Sequence, residues 1–278
     1  MIPPVASRFV AGETTAEALD HAARCNERDV GVILNLLGEH YGTPEPAAAD
    51  RETYRELIAD IDRSGLRACI SVKPSQIGLD LGEDTFRENL GLIADDAAEA
   101  GVFLWIDMED HTTTDATLDA YEDLAREHDG GVGVCVQANL KRTREDVERL
   151  AEVPGKVRFV KGAYDEPESV AYTRKDRVDA EYRELLTYAF EEYDGGIAVG
   201  SHDPAMIDHA TGLHEEFGTD FEIQMLMGVR EDAQTDLAAD HEVWQYVPYG
   251  RKWKSYFYRR MVERKENVTF ALRAILGR

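Results

Sequence analysis

The fold is decided by the unit at residues 133–164. Its two ends are the apolar runs GVCVQANL at 133–140 and VRFVKGAY at 157–164, and an amphipathic stretch separates them. Both runs are apolar on both faces, which is typical of buried parallel strands. Between them, Thr143 and Asp146 have the spacing of a capping box, with Asp in the place of Glu. The unit therefore predicts a strand, a helix and a second strand.

Comparable units recur along the chain. Further apolar runs occur at 31–37, 68–73, 102–108, 197–201, 221–227 and 243–248. Apolar residues at helical spacing lie between them, as in Tyr54, Leu57, Ile58 and Ile61. Eight strands that alternate with eight helices are typical of a (βα)8 barrel. The alternative is an open doubly wound sheet, but the chain has no GxGxxG after its first strand and no GxxxxGK.

We therefore predict an α/β fold, a (βα)8 barrel of the TIM type, as a single domain over residues 1–278. A further helix is expected around 14–25, before the first strand, where it either plugs the floor of the barrel or flanks it.

The charge of the chain excludes several classes of function. Its 278 residues include 55 Asp and Glu against 31 Lys and Arg, a formal net charge of −24. Such a charge repels nucleic-acid phosphates and anionic membranes, so we expect no nucleic-acid partner. No apolar run approaches the ~20 residues that span a bilayer, so we expect no integral membrane segment. We also expect no secretory signal at the start.

Cysteine and lysine usage suggest where the protein works. Cys25, Cys69 and Cys135 are far apart and form no CxxC, which favours a reducing cytoplasm over a disulfide framework or a zinc site. Only eight of the basic residues are Lys. Many carboxylates with few lysines are expected of a halophile.

Polar residues collect where the predicted strands end, which is where such a barrel places its active site. They are Lys73, Asp107, Glu109, Gln137, Asn139, Arg158, Lys161, Tyr164, Ser201, His202, Asp203, Gln224, Tyr246 and Tyr249. Their coincidence favours a ligand site. Lys73 and Lys161 lie in apolar runs, where an ammonium needs an anionic partner. Either Asp107 or Glu109, or an anionic ligand, could supply it. No HxH or HExxH occurs, so we expect no metal.

A second polar cluster is predicted on the last helix. Tyr256, Arg259, Arg260, Glu263 and Asn267 share one helical face. Spacing alone favours a solvated face with an Arg259–Glu263 pair. The alternative is a paired guanidinium clamp for a carboxylate or phosphate, with Glu263 fixing one arginine.

Several segments together resemble the proline dehydrogenase family. They are RFVKGAY at 158–164, QML at 224–226, YVPYG at 246–250 and YFYRRMVE at 256–263, with DMED at 107–110, VQA at 136–138 and SHDP at 201–204 in support. The resemblance extends from about Arg8 to Phe270 and includes the dehydrogenase part of bifunctional proline-utilisation enzymes. It implies a distorted (βα)8 barrel with the final helix over the site, and a monofunctional enzyme. Ser201 stands where the family usually has Thr.

The resemblance also implies a cofactor and a reaction. The cofactor is non-covalent FAD, and L-proline is oxidised to Δ1-pyrroline-5-carboxylate by hydride transfer from C5 to flavin N5, the first step of proline catabolism. The implied cofactor-binding residues are Gln137, Arg158, Lys161, Gly162, Ser201, His202, Gln224 and Glu263. The implied substrate-binding residues are Lys73, Tyr164, Tyr246, Tyr256, Arg259 and Arg260. The implied catalytic residues are Lys73, Asp107, Arg158 and Tyr164.

The resemblance further implies a quinone or another electron acceptor, a separate pyrroline-5-carboxylate dehydrogenase downstream, and a cytoplasmic protein that can meet the inner face of the membrane. One alternative is a Schiff-base aldolase or lyase without flavin, with Lys161 or Lys73 as nucleophile. Another is an acidic binding protein without catalysis.

Overall fold

The strands form a closed parallel barrel in sequence order. A computed structural model describes residues 2–3, 6–254 and 256–257. In this part of the chain the strands are β1 Gly31–Leu36, β2 Ala68–Val72, β3 Leu104–Ile106, β4 Val132–Gln137, β5 Lys156–Val160, β6 Ile197–Gly200, β7 Phe221–Leu226 and β8 Glu242–Tyr249. Each strand pairs with the next, and β8 closes on β1. The predicted barrel is confirmed, and the open sheet is wrong.

Helices connect the strands. They are α1 Thr15–Asn26, α2 Pro44–Ser64, α3 Glu83–Ala100, α4 Thr114–Glu127, α5 Thr143–Leu150, α6 Lys175–Glu192, α7 Pro204–Phe217 and α8 Glu231–Leu237. Helix α7 begins as its sequence indicates, because the Asp203 side chain accepts a hydrogen bond from the Ala205 backbone N–H and Pro204 is the first helical residue.

The predicted capping box at α5 is wrong. Thr143 is the first residue of the helix rather than its cap, and its hydroxyl donates to the Gln137 carbonyl at 2.5 Å. Asp146 instead pairs with Arg142, at 2.9 Å between Oδ1 and Nη2. The Thr143 hydroxyl therefore caps the end of β4 and is not available to the helix.

Helix α1 flanks the barrel. Its Ala18 and Ala22 are buried in the core between strands and helices, together with Val32 of β1. His21 Nε2 lies 2.6 Å from Gln245 Oε1 on β8. The lower interior is filled by side chains of the barrel itself, namely Ile33, Cys69, Trp105 and Ala198 with Phe103 and Trp244. Of the two predicted positions for this helix, flanking is confirmed and plugging the floor is wrong.

The chain after β8 is described only at its start. Trp253 is buried with Val10 and Leu37, and Tyr256 and Phe257 pack on this cluster. Arg259, Arg260 and Glu263 lie outside the described residues, as does the rest of the predicted last helix. In the portion that is described, no helix has both the length and the apolar character to cross a membrane.

Candidate active site

A buried carboxylate lies at the centre of the upper barrel. Asp107 follows β3 and is 6% exposed. It accepts hydrogen bonds from Ser71 Oγ at 2.7 Å and from Tyr246 OH at 2.6 Å. Arg158 Nη2 bonds to its Oδ1, and Lys73 Nζ lies 3.5 Å from its Oδ2. Ser71 lies on β2 and Lys73 follows it directly, whereas Arg158 lies on β5 and Tyr246 on β8. Closure of the barrel therefore brings these groups together.

The charges around Asp107 fix its protonation. Burial would raise the pKa of Asp107, but the positive charges of Arg158 and Lys73 outweigh it, helped by hydrogen bonds from Tyr246 and Ser71. The pKa of Asp107 therefore lies below its ordinary value. Burial and the Asp107 carboxylate raise the pKa of Tyr246 well above its usual range. At neutral pH the cluster holds an ionised Asp107 and a neutral Tyr246.

Arg158 is held on every side. It is 4% exposed, and its guanidinium carbon lies 4.9 Å from the ring centre of Trp105 and 5.6 Å from that of Tyr246. Its Nη1 donates to Gln224 Oε1 at 3.1 Å. Burial would lower the pKa of Arg158, but the Asp107 carboxylate outweighs it and the pKa is raised. Arg158 is therefore a fixed positive charge beneath the mouth of the barrel.

The two lysines of the predicted site have different partners. Lys73 pairs with Asp107, as one of the two sequence interpretations expected, and its side chain is partly exposed. Lys161 Nζ lies 2.5 Å from Asp179 Oδ1 on α6 and 2.7 Å from Asp203 Oδ2. The expected pairing of Lys161 with Asp107 or Glu109 is therefore wrong. The ammonium of Lys161 points to the ends of α6 and α7 instead.

The Glu109 carboxylate holds a loop. It accepts from the Ser75 backbone N–H at 2.6 Å and from Ser75 Oγ at 2.8 Å. The backbone carbonyl of Glu109 accepts from Gln137 Nε2 at 2.8 Å, and Gln137 Oε1 accepts from the Ala163 N–H at 3.3 Å. These bonds tie together the loops after β2, β3 and β5. The side chain of Gln137 is therefore engaged at both ends of its amide.

An open cleft of about 310 Å³ is formed by the loop between β5 and α6 and by the start of α6. Its lining includes Asn139, Lys161, Gly162, Tyr164, Tyr172 and Asp179. Gly162 has φ +114°, and a Cβ there would lie 2.1 Å from Asn139 Oδ1. Burial raises the pKa of Tyr164 to about 12, with Glu109 and Asp107 adding to the shift and Lys73 opposing it. Tyr164 is therefore a neutral phenol in the lining of the cleft.

The predicted residues after β6 make local contacts. Ser201 Oγ accepts from the Asp203 N–H at 3.1 Å. His202 Nε2 accepts from the Leu226 N–H at 3.2 Å, which places the proton of the neutral ring on Nδ1. Asp203 caps α7 and pairs with Lys161. This segment is rigidly placed at the end of β6.

The barrel brings one group of predicted residues into direct contact, namely Lys73, Asp107, Arg158, Gln224 and Tyr246. Tyr249, which the strand-end pattern included, packs instead in the core between strands and helices.

Sequence reasoning missed Ser71 and Glu222. Both are polar residues inside apolar runs, and Glu222 precedes Gln224 by two, which places both on one face of a strand.

Together these features define a (βα)8-barrel enzyme with a buried ionic cluster at the carboxyl end of its strands. The family model for proline dehydrogenase matches residues 18–273, and the chain belongs to that family.

Relatives in two bacteria match almost the whole chain. The proline dehydrogenase of Deinococcus radiodurans is 38% identical over 285 residues, covering 98% of this chain and 90% of its own. Proline dehydrogenase 1 of Bacillus subtilis is 34% identical over 276 residues, with the same coverage of 98% and 90%. The predicted family is confirmed.

A solved structure shares the fold. Proline utilization A from Bdellovibrio bacteriovorus, inactivated by N-propargylglycine, superposes with a TM-score of 0.85 at 24% identity. The likeness covers 93% of this chain and 32% of that protein, so this chain spans about a third of its length. At this identity the likeness shows the barrel architecture.

Proposed function

We propose that the protein oxidises L-proline to Δ1-pyrroline-5-carboxylate, the first step of proline catabolism. The observation that carries the proposal is the cluster of Lys73, Asp107, Arg158 and Tyr246 at the mouth of the barrel, in a chain that belongs to the proline dehydrogenase family.

Cations at the mouth suit the substrate. The carboxylate is the group of proline that a protein can bind most strongly, and the ring is apolar apart from its amine. The Lys73 ammonium lies at the upper, partly exposed side of the cluster, where it can meet an incoming carboxylate. We assign Arg259 and Arg260, which lie outside the described residues, to the same carboxylate, because a guanidinium binds it in a bidentate manner. Tyr164 and Tyr256 then flank the apolar ring methylenes and exclude water.

The described residues fit a flavin nucleotide. Asn139 Oδ1 is buried in the wall of the cleft and accepts no hydrogen bond from any residue that the structure describes. The hydroxyl and amino groups of FAD can donate to such an acceptor. Gly162 lies directly against this Asn139 side chain, so a Cβ at Gly162 would displace the unbonded acceptor. Within the same part of the chain, no group of three or more His, Cys, Asp or Glu could hold a metal ion.

We therefore propose FAD as the cofactor. The residues that would hold it are Gln137, Arg158, Lys161, Gly162, Ser201, His202, Gln224 and Glu263. When bound, the flavin supplies the acceptor for the hydride that leaves C5 of proline. The chain's own part is to position the ring and to keep Arg158 charged and fixed near that acceptor.

The amine of proline must lose its proton before C5 gives up a hydride, because the nitrogen lone pair drives formation of the C=N bond. Asp107 is a poor acceptor for that proton, since its pKa is lowered and its two oxygens already meet Ser71, Tyr246, Arg158 and Lys73. We assign Asp107 to holding Arg158 and Lys73 in place.

The contacts disfavour the Schiff-base alternative. A nucleophilic lysine must be an uncharged amine. Lys161 is bonded to two carboxylates, and Lys73 faces Asp107, so deprotonation would break ion pairs in either case.

We also propose a quinone or another external electron acceptor, a separate dehydrogenase for the product, and a cytoplasmic location in contact with the inner membrane face.

The test is anaerobic bleaching. The protein is purified in high salt, its visible spectrum is recorded, and L-proline is added without oxygen, with D-proline as the control. We expect a yellow protein whose absorbance is lost with L-proline. A colourless protein that forms a borohydride-trapped adduct would support the lyase alternative instead.

A further inference from the structure

We propose that Glu222 on β7 is a positioning residue for this reaction. It fixes the orientation of the Gln224 amide and through it the guanidinium of Arg158. The inference rests on the proposed function, which places Arg158 beside the flavin.

Three hydrogen bonds link the lower interior to Arg158. Glu222 and Gln224 are 3% and 4% exposed, and both point into the barrel. Glu222 Oε2 accepts from Lys156 Nζ at 2.5 Å, and Glu222 Oε1 accepts from Gln224 Nε2 at 2.6 Å. Gln224 Oε1 in turn accepts from Arg158 Nη1 at 3.1 Å. The chain of bonds then continues from Arg158 to Asp107.

The chemistry of the partners allows one orientation of the amide. A guanidinium can only donate hydrogen bonds, and an ionised carboxylate can only accept them. Gln224 lies between the two, so its nitrogen must face Glu222 and its oxygen must face Arg158. A flipped amide would lose both bonds inside a buried site, which is costly because neither group can turn to water. Glu222 therefore decides which end of the amide Arg158 meets.

The chain offers a matched control for charge. Glu242 on β8 lies directly across from Glu222 in the parallel register. It is exposed, and its Oε1 accepts from Trp244 Nε1 at 2.9 Å. Glu242→Gln therefore removes one negative charge at the same end of the barrel while leaving the Glu222–Gln224 bond intact.

The first test is kinetic and electrochemical. We expect Glu222→Gln to lower kcat/KM for proline by roughly tenfold and to shift the midpoint potential of the bound flavin, because the amide can then turn and loosen Arg158. Glu242→Gln should leave both unchanged. In a Gln224→Met background, Glu222→Gln should add less than about a twofold change, because its route to Arg158 is already cut. Equal effects in both backgrounds would overturn the proposal.

The second test needs neither flavin nor proline. In a spectrum of the 15N-labelled protein, the side-chain amide protons of Gln224, assigned by their loss in Gln224→Met, should resonate downfield and exchange slowly. In Glu222→Gln they should move upfield and exchange faster. Where that variant does not fold, Lys156→Met/Glu222→Gln removes the ion pair as a unit. Unchanged amide signals would overturn the inference even if proline bleaches the protein. A colourless protein with the expected signals would contradict the proposed function alone.

Discussion

Replacing Asp107 by Asn should destabilise the protein strongly while keeping the shape of the side chain. The substitution removes the only negative charge bonded to Arg158 among its described contacts, and Arg158 cannot turn to water from inside the barrel. Leaving one member of a buried ion pair without its partner costs about 3–5 kcal/mol. For a domain of this size we expect a melting temperature lower by roughly 10 °C.

The matched control is Asp123→Asn. Asp123 also pairs with an arginine, Arg87 Nη1, at 2.6 Å, but its side chain is 66% exposed. An exposed pair contributes about 0–1 kcal/mol, so this variant should melt within a few degrees of the parent. Urea denaturation and calorimetry on both variants measure the difference. A loss in Asp107→Asn no larger than in Asp123→Asn would refute the reasoning from burial.

The same pair of proteins tests the sign of the pH dependence. The pKa of Asp107 is lower in the folded protein than in the unfolded chain. Its contribution to the free energy of unfolding is therefore complete above the unfolded pKa and is lost as the pH falls through the folded pKa. The stability difference between the parent and Asp107→Asn should shrink on acidification below the ordinary range of Asp. A difference that grows on acidification would contradict this assignment.

Three further outcomes are expected. Gly162→Ala should weaken flavin retention on gel filtration, because its Cβ would collide with Asn139 and a φ of +114° strains any residue with a side chain. Full retention of the flavin would show that the backbone conformation at Gly162 is not required for binding it. Arg259→Met or Arg260→Met should raise KM for proline at least about tenfold, since a charge-assisted bond contributes about 1.5–3 kcal/mol; unchanged kinetics in both would remove the carboxylate assignment. The melting temperature should rise with added KCl, because salt screens the repulsion of a net charge of −24; a flat or falling curve would argue against a salt-adapted protein.

The barrel was predictable because its strands are buried on both faces and therefore stand out as apolar runs. Lys73, Asp107 and Arg158 were also predictable, because a charged group in an apolar run is costly to bury without a partner. Contacts between distant strands were harder to foresee. Lys161 bonds to Asp179 on α6 and to Asp203, the cap of α7, and nothing in the sequence next to Lys161 indicates these partners.

Two local patterns failed for identifiable reasons. The hydroxyl of Thr143 had a competing acceptor, the Gln137 carbonyl, which only the folded loop brings within reach. Tyr246 and Tyr249 were grouped by composition, but they are three residues apart on β8, and an odd separation places them on opposite faces of a strand. Tyr246 therefore enters the barrel and Tyr249 packs outside it.

The bonds made by Glu109 and Gln137 have a consequence for how a solute reaches the interior. They join Ser75, Glu109 and Ala163, so the part of the rim from β2 to β5 shifts as a block. Separating its loops would break several buried hydrogen bonds at once. A solute that enters on this side of the barrel therefore has to pass these loops without separating them.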